Sequence, residues 1–181
     1  MEIKANSSDL LKALNHIQGI VEVRHTLPIL SNIVILAENN ELSLSSTNLD
    51  IFCSDKIDAE IMTSGEISVP AITFFEIVKR LPSGSDVILS MADEDTELVL
   101  KCGRSKFNLS TLKTEDFPIL SDKDLSTNFV ISADELSRMI DKTKFAISNE
   151  ETRYYLNGIF FHKAESNSIN FLRAVATDGH R

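Results

Sequence analysis

The chain has two cysteines, Cys53 and Cys102, in 181 residues. They stand alone in the sequence, which excludes a disulfide framework and a paired-cysteine metal site and leaves two reduced, buried thiols as the reading. Long apolar runs are missing too. None approaches the roughly 18 residues that a membrane-spanning helix needs. The N-terminus, MEIKANSSD, has neither a basic n-region nor an apolar core, so no secretory signal is expected and the chain reads as cytosolic. Basic residues are in deficit, with 18 Lys and Arg against 27 Asp and Glu and a net charge of −9. That excludes a body coated in positive surface but leaves room for a small basic face. Glycine is sparse at six residues, and no phosphate-binding glycine loop occurs. HExxH and GxSxG are absent as well. His16, His25, His162 and His180 do not recur with Cys or carboxylates at ligand spacing. Asp93-Glu94-Asp95 is read as a solvated hairpin turn rather than a metal loop. No catalytic site, metal or cofactor is therefore expected.

What is present is a repeat. IKANSSDLLKALNHIQGIVEVRHTLPILSNIVIL, read from Ile3, aligns without a gap with FVISADELSRMIDKTKFAISNEETRYYLNGIFFH, read from Phe129, at an offset of 126. Leu10 falls on Leu136, Leu14 on Ile140, Leu30 on Leu156 and Ile33 on Ile159. A four-residue insertion in the following turn then places Thr47-Asn48 on Thr177-Asp178. A unit of this length is the size of a domain, which implies tandem domains. A fainter echo at an offset of 64 relates EIKANSSDLLKAL from Glu2 to EISVPAITFFEIV from Glu66. The expected boundaries are 1–125 for a first, complete domain and 126–181 for the start of a second. An unpaired apolar strand at Ile169 to Ala176 suggests a fragment of a longer protein.

Periodicity predicts strands at Ile33–Ala37, Glu41–Ser45, Ile51–Ile61, Ile67–Val69, Asp86–Met91, Glu97–Cys102 and Lys106–Thr111. Three short helices are predicted. The first is capped by Ser8 or Asp9 and the second by Thr73, and the third begins near Ala133. The fold class is α+β, sheet-rich, with two helices per copy. The helices carry Lys12, His16, Lys79, Arg80, Arg138, Lys142 and Lys144 outward. Solvated helix faces and a surface facing a polyanion both fit these positions. The acidic, turn-rich stretch Asp116 to Asn128 reads as the interdomain linker. The only two tyrosines, Tyr154 and Tyr155, sit side by side next to Arg153. On a strand, one would face the core and the other a binding surface.

RYYLNG from Arg153, followed some twenty residues later by ATDGHR from Ala176, is similar to the start of the middle domain of bacterial sliding clamps, the β subunit of DNA polymerase III. The stretches LLKALNHIQGIVEVRHTLPILSNI, VPAITFFEIVKRLPSG, GRSKFNLSTL and DFP resemble the first domain of that family in order and spacing. The resemblance covers the whole chain. It implies a DNA-clamp fold of three similar domains per subunit, the third absent here. Two subunits would form a head-to-tail homodimer ring around double-stranded DNA. Its role would be that of a non-catalytic processivity factor, cytoplasmic and nucleoid-associated.

The resemblance also implies residue roles. Arg24, Lys79, Tyr154 and Tyr155 match DNA-contacting positions. Arg153, Leu156, Thr177, Gly179, His180 and Arg181 match the cleft for short partner peptides. Those peptides would come from the catalytic subunit of DNA polymerase III, the clamp loader, other polymerases and mismatch-repair proteins. Phe107 and Leu109 match the edge that meets the other subunit. Glu150 stands where some members carry glutamine, and an acid there would repel phosphate, so no role is assigned to it. Without the resemblance, a repeat scaffold that binds proteins alone, or an enzyme with its site in further sequence, would also fit these residues.

Overall fold

A computed structural model describes residues 1–21, 27–92, 97–118 and 129–181. It divides into two compact units, Met1–Ser121 and Asp122–Arg181. In the first unit, β1 (Glu2–Asn6) alternates buried Ile3 and Ala5 with outward polar residues, the period-two pattern of a half-buried strand. It runs directly into α1 (Ser7–Ile17), which buries Leu10, Ala13, Leu14 and Ile17 along one face. The cap of α1 is Asn6, whose side chain accepts the Ser8 N–H at 2.9 Å. The predicted cap Ser8 is used elsewhere, because its hydroxyl accepts the Gly84 N–H at 2.9 Å and meets Ser83. α2 (Ala71–Lys79) begins two residues before the predicted cap Thr73. Pro70 precedes it, with φ at −58°, the value at which its ring holds the backbone ready for helix entry.

Between and after these helices run β2 (Asn32–Glu38), β3 (Glu41–Thr47), β4 (Phe52–Asp58), β5 (Glu60–Thr63), β6 (Gly65–Pro70), β7 (Asp86–Met91), β8 (Glu97–Cys102) and β9 (Ser105–Ser110). They form two antiparallel sheets, β5-β1-β7-β8-β9 and β4-β3-β2-β6. The single strand predicted over Ile51–Ile61 is two strands in different sheets. The chain changes sheet at Ala59, whose N–H turns to the Asn40 carbonyl at 3.0 Å.

The half-repeat has a structural meaning. β1-α1-β2-β3-β4 and β6-α2-β7-β8-β9 are the same motif, and each gives its first strand to the other's sheet. Positions 64 apart occupy equal depth: Ile3 and Ile67, Leu10 and Phe74, Leu14 and Val78 are all buried in one shared core. A smaller cluster of Ile29, Leu30, Val34 and Phe117, flanked by Phe52, lies apart from that core. Phe117 and Phe52 meet edge to face at 6.5 Å. The predicted linker therefore starts too early, since Phe117 is anchored in the first unit. Residues 119–128 lie outside the described set, as does the predicted Asp93-Glu94-Asp95 turn.

The second unit repeats the opening of the first. α3 (Ala133–Thr143) has the bounds of α1 moved by 126, and the 3-10 turn Lys144–Ala146 has those of Gln18–Ile20 moved equally. Ser132 caps α3, its hydroxyl accepting the Glu135 N–H at 3.2 Å and donating to the Glu135 carboxylate at 3.1 Å. β10 (Phe160–Ser166) and β11 (Ile169–Val175) form an antiparallel hairpin. The pairs Val34↔Ser45 and Glu38↔Glu41 reappear as Phe160↔Val175 and Ala164↔Phe171. The four inserted residues add two further pairs, Glu165↔Asn170 and Ser166↔Ile169. The turn itself does not grow. Asn39-Asn40 and Asn167-Ser168 are both two-residue turns with positive φ at each position, the geometry that matches strand twist.

Candidate nucleic-acid and peptide interface

The polar stretch at Thr177 folds into a closed turn. Gly179 N–H donates to Thr177 Oγ1 at 3.0 Å, and that hydroxyl donates to the Arg181 carbonyl at 2.6 Å. Asp178 Oδ1 accepts the N–H groups of His180 at 2.9 Å and Arg181 at 3.1 Å, while Oδ2 accepts from Arg181 Nε at 2.9 Å. Thr47–Ile51 makes the same turn in the first unit. There Thr47 Oγ1 accepts from Leu49 N–H and donates to the Ile51 carbonyl, and Asn48 Oδ1 accepts from Asp50 and Ile51. An Asx side chain that satisfies the backbone two and three residues on explains why Asp and Asn occupy this position. Both copies need a left-handed third residue, Leu49 at φ 79° and Gly179 at φ 90°.

Arg153 reaches this turn from a neighbouring element. A Cβ on Gly179 would lie 3.2 Å from the Arg153 Nη1, so the glycine makes room for the guanidinium. Arg153 Nε also pairs with Glu150 at 3.0 Å, which gives Glu150 a partner that sequence reading did not find. Leu156 is tied to the same region through its carbonyl, which accepts the Ser148 N–H at 3.0 Å. Arg181 lies over the Phe145 ring at 5.6 Å, a contact worth about 0.5–1 kcal/mol at an exposed site. The structure thus brings together Arg153, Thr177, Gly179 and Arg181, with His180 held by Asp178.

Asp178 was not among the expected site residues, although it organises the turn. Its carboxyl sits below the usual carboxylate range, chiefly through the His180 N–H. Desolvation opposes this, and the N–H and guanidinium of Arg181 add to the lowering. A carboxylate with a lowered pKa supports structure above its unfolded value, and the support is lost as pH falls through the folded value. The amide resonances of His180 and Arg181 should therefore hold their positions through the usual carboxylate range and shift only below it. Retention of those positions at lower pH would show that the turn does not depend on the ionised carboxylate.

Tyr154 and Tyr155 do not lie on a strand. They belong to a 3-10 segment, Glu151–Leu156, that includes a non-helical Arg153 (φ −115°, ψ 48°). Both rings are exposed, at 78% and 71%, and they meet edge to face at 5.8 Å. The expectation that one would be buried fails because a tight turn, unlike a strand, does not send alternate side chains to opposite faces. Lys79 is exposed in the last turn of α2, lies over Phe75 at 5.4 Å and is 3.8 Å from Glu76. Arg24 lies outside the described residues. Phe107 and Leu109 lie on β9, which among the described residues pairs on one side only, with β8. The Leu109 side chain is buried, so this strand offers an edge through its backbone. Among the described residues no group of three or more His, Cys, Asp or Glu could hold a metal, and no helix is long and apolar enough to cross a membrane.

The architecture has counterparts among solved structures. The chain superposes on the Caulobacter crescentus beta sliding clamp with a TM-score of 0.94 and 50% identity, covering 99% of this chain and 48% of that one. A sliding clamp from Bartonella birtlesii bound to griselimycin gives a TM-score of 0.92 and 42% identity, with 99% and 48% covered. The fold is therefore that of the sliding clamps, sheet-rich α+β domains in tandem. Residues 1–121 match the DNA polymerase III beta subunit N-terminal domain, and residues 130–181 match its central domain. The chain belongs to the DNA polymerase III beta subunit family. The beta sliding clamp of Caulobacter vibrioides is 50% identical over 181 residues, and that of Pseudomonas aeruginosa is 43% identical over 173. The chain spans about half the length of these curated relatives, 49% and 46%.

Proposed function

We propose that this chain is the first half of a non-catalytic processivity factor. As part of a full-length protein it would close, with a second copy, a head-to-tail ring around duplex DNA. The observation that carries this reading is the ordered match to the N-terminal and central domains of the beta subunit family over nearly the whole chain. The repeat with its outward cations supports it, because a ring holds DNA topologically and needs only modest phosphate contacts. That requirement also accommodates the net charge of −9. Lys79, Tyr154 and Tyr155, with Arg24, face the duplex or its single-stranded end in this reading. Arg153, Leu156, Thr177, Gly179, His180 and Arg181 form one wall of a cleft for apolar-ended peptides. Those peptides would come from the polymerase III catalytic subunit, the clamp loader, other polymerases and mismatch-repair proteins. The β9 edge, with Phe107 and Leu109, meets the second copy. The working location is the cytoplasm, on the nucleoid.

The test uses a full-length chain of the relatives' length, loaded onto nicked circular DNA by its clamp loader. Retention on the circle and loss after a single cut are expected. Equal retention on both forms, or release governed by salt alone, would overturn the ring mechanism.

A further inference from the structure

Ser148 is a buried polar residue, 5% exposed, at the start of a loop whose other residues up to Gly158 are exposed or half-buried. All three of its polar groups are engaged within the second unit. Its N–H donates to the Leu156 carbonyl at 3.0 Å, and its hydroxyl accepts the Glu150 N–H at 3.2 Å. Its carbonyl faces the Asn157 side chain, which also approaches the Arg153 carbonyl. Carbonyl oxygens only accept, so the amide nitrogen of Asn157 is the group turned toward both. It donates to Ser148 at 2.8 Å and to Arg153 at 3.3 Å.

These bonds close residues 148–157 into one unit. Arg153, where the 3-10 segment leaves helical geometry, is held at several points. Its N–H donates to the Glu150 carbonyl at 3.1 Å, its guanidinium pairs with the Glu150 carboxylate at 3.0 Å, and its carbonyl is caught by Asn157. Leu156 is held through its carbonyl by the same Ser148 that Asn157 holds. The first unit is built differently. Ser31 stands 126 residues before Asn157, and its hydroxyl donates to the Pro28 carbonyl at 2.7 Å. A hydroxyl has one proton to give, whereas an amide has two and can bridge two carbonyls.

We propose that Asn157 is a positioning residue for the peptide cleft: its side-chain amide, bridging the carbonyls of Ser148 and Arg153, sets Arg153 and Leu156 where a peptide meets them. Asn157 acts through those two residues and needs no contact with the peptide. Loss of the amide leaves the carbonyl of buried Ser148 without its donor, which is costly, and frees the Arg153 peptide unit to turn. The guanidinium packed beside Gly179 moves with it. Aspartate at this position is the most informative replacement. It keeps the shape, but an ionised carboxylate turns acceptors toward two carbonyl oxygens, and protonation restores one donor. The carboxyl of that variant should therefore titrate above the ordinary carboxylate range. The charged groups of the loop are Glu150, Glu151 and Arg153, and Glu150 and Arg153 pair with each other.

This inference rests on the cleft reading of Arg153 and Leu156, and the experiment separates the two. Full-length protein is titrated calorimetrically with an apolar-ended peptide at two pH values, each variant being compared with the unaltered protein at the same pH. That comparison cancels whatever pH does to the unaltered cleft. Asn157→Asp should bind about tenfold more weakly at about pH 7.5 and recover about threefold or more at about pH 5.5. Asn157→Ser, which keeps the test decisive if the aspartate unfolds the loop, should bind about threefold more weakly at both pH values. Arg153→Ala probes the cleft directly and should weaken binding about tenfold. If Arg153→Ala weakens binding and neither Asn157 variant does, the positioning role falls and the cleft reading stands. A loss in Asn157→Asp that is equal at both pH values has the same meaning, because a donor restored by protonation then does nothing. If none of the three variants weakens binding, both fail.

Discussion

Phe74→Ala is expected to cost about 3–5 kcal/mol, the range for truncating a buried phenylalanine with partial collapse of the cavity. Phe74 is fully buried and belongs to the single core that joins both sheets and both helices of the first unit. A typical domain has only about 5–15 kcal/mol in total, so the loss is a large share of its stability. The pseudo-symmetric helix position in the second unit makes the prediction sharper. Leu10 and Leu136 stand 126 residues apart in sequence, yet Leu10 is 0% exposed and Leu136 is 37% exposed. α2 lies against α1 in the first unit, and among the described residues the second unit has α3 and one hairpin alone. Leu136→Ala should therefore cost about 1 kcal/mol, in line with partial burial. Urea unfolding of the two variants, monitored by resonances of each unit, measures both costs. A loss below 1 kcal/mol for Phe74→Ala would mean that the core is not packed as described.

If Gly179 lines the proposed peptide cleft, Gly179→Ala should weaken peptide binding by the full-length protein about fivefold to tenfold, close to 1.4 kcal/mol at the upper end. The turn itself should survive. Leu49 adopts the same left-handed conformation in the first unit, so a side chain there is strained by about 1–2 kcal/mol but tolerated. The difference between the two positions is the neighbour. An added methyl would lie 3.2 Å from Arg153 Nη1 and press the guanidinium out of place. Arg153 also holds Glu150 at 3.0 Å, so its displacement disturbs the adjoining segment. Calorimetric titration of an apolar-ended peptide, with the His180 and Arg181 amides as reporters of turn integrity, tests this. Unchanged affinity alongside a displaced Arg153 would remove Arg153 from the cleft.

The two forms of the Thr–Asx turn show how one backbone serves different surfaces. At matching positions the first unit carries Leu27, Asp50 and Ile51, where the second carries Arg153, His180 and Arg181. The Thr and Asx side chains make the same bonds to the backbone in both, but the second turn concentrates basic groups and the first does not. Leu30 is fully buried in its cluster with Phe117, whereas its counterpart Leu156 is half-buried and adjoins two exposed tyrosines. Duplication preserved the fold, and the side chains diverged where the backbone did not need them.

Much of this was legible in order along the chain. A third helix was expected to begin near Ala133, and α3 begins there, because a helix face repeats its apolar period wherever its core is repeated. The half-repeat at 64 predicted equivalent strands and helices, and buried pairs such as Ile3 and Ile67 occupy them. Of the two-residue hairpin turns, local sequence marked Asn39-Asn40, since such a turn depends on residues a few positions apart, whereas the Asx turns went unread. The exchange of β1 and β6 between sheets was not legible. Nor was the change of sheet at Ala59, or the anchoring of Phe117 beneath Ile29 and Leu30. Each depends on partners dozens of residues away, and strand alternation marks a buried face without naming the neighbour that covers it. The helix caps fell to tertiary structure for the same reason, with Ser8 drawn away from its helix by the loop at Gly84. The sequence alone determined the repeat, its elements and its family. Only the folded chain decided that both tyrosines face outward and that His16 and Asp55 meet across 39 positions. Those contacts are set by the crossing of elements in space, and no periodicity along the chain encodes them.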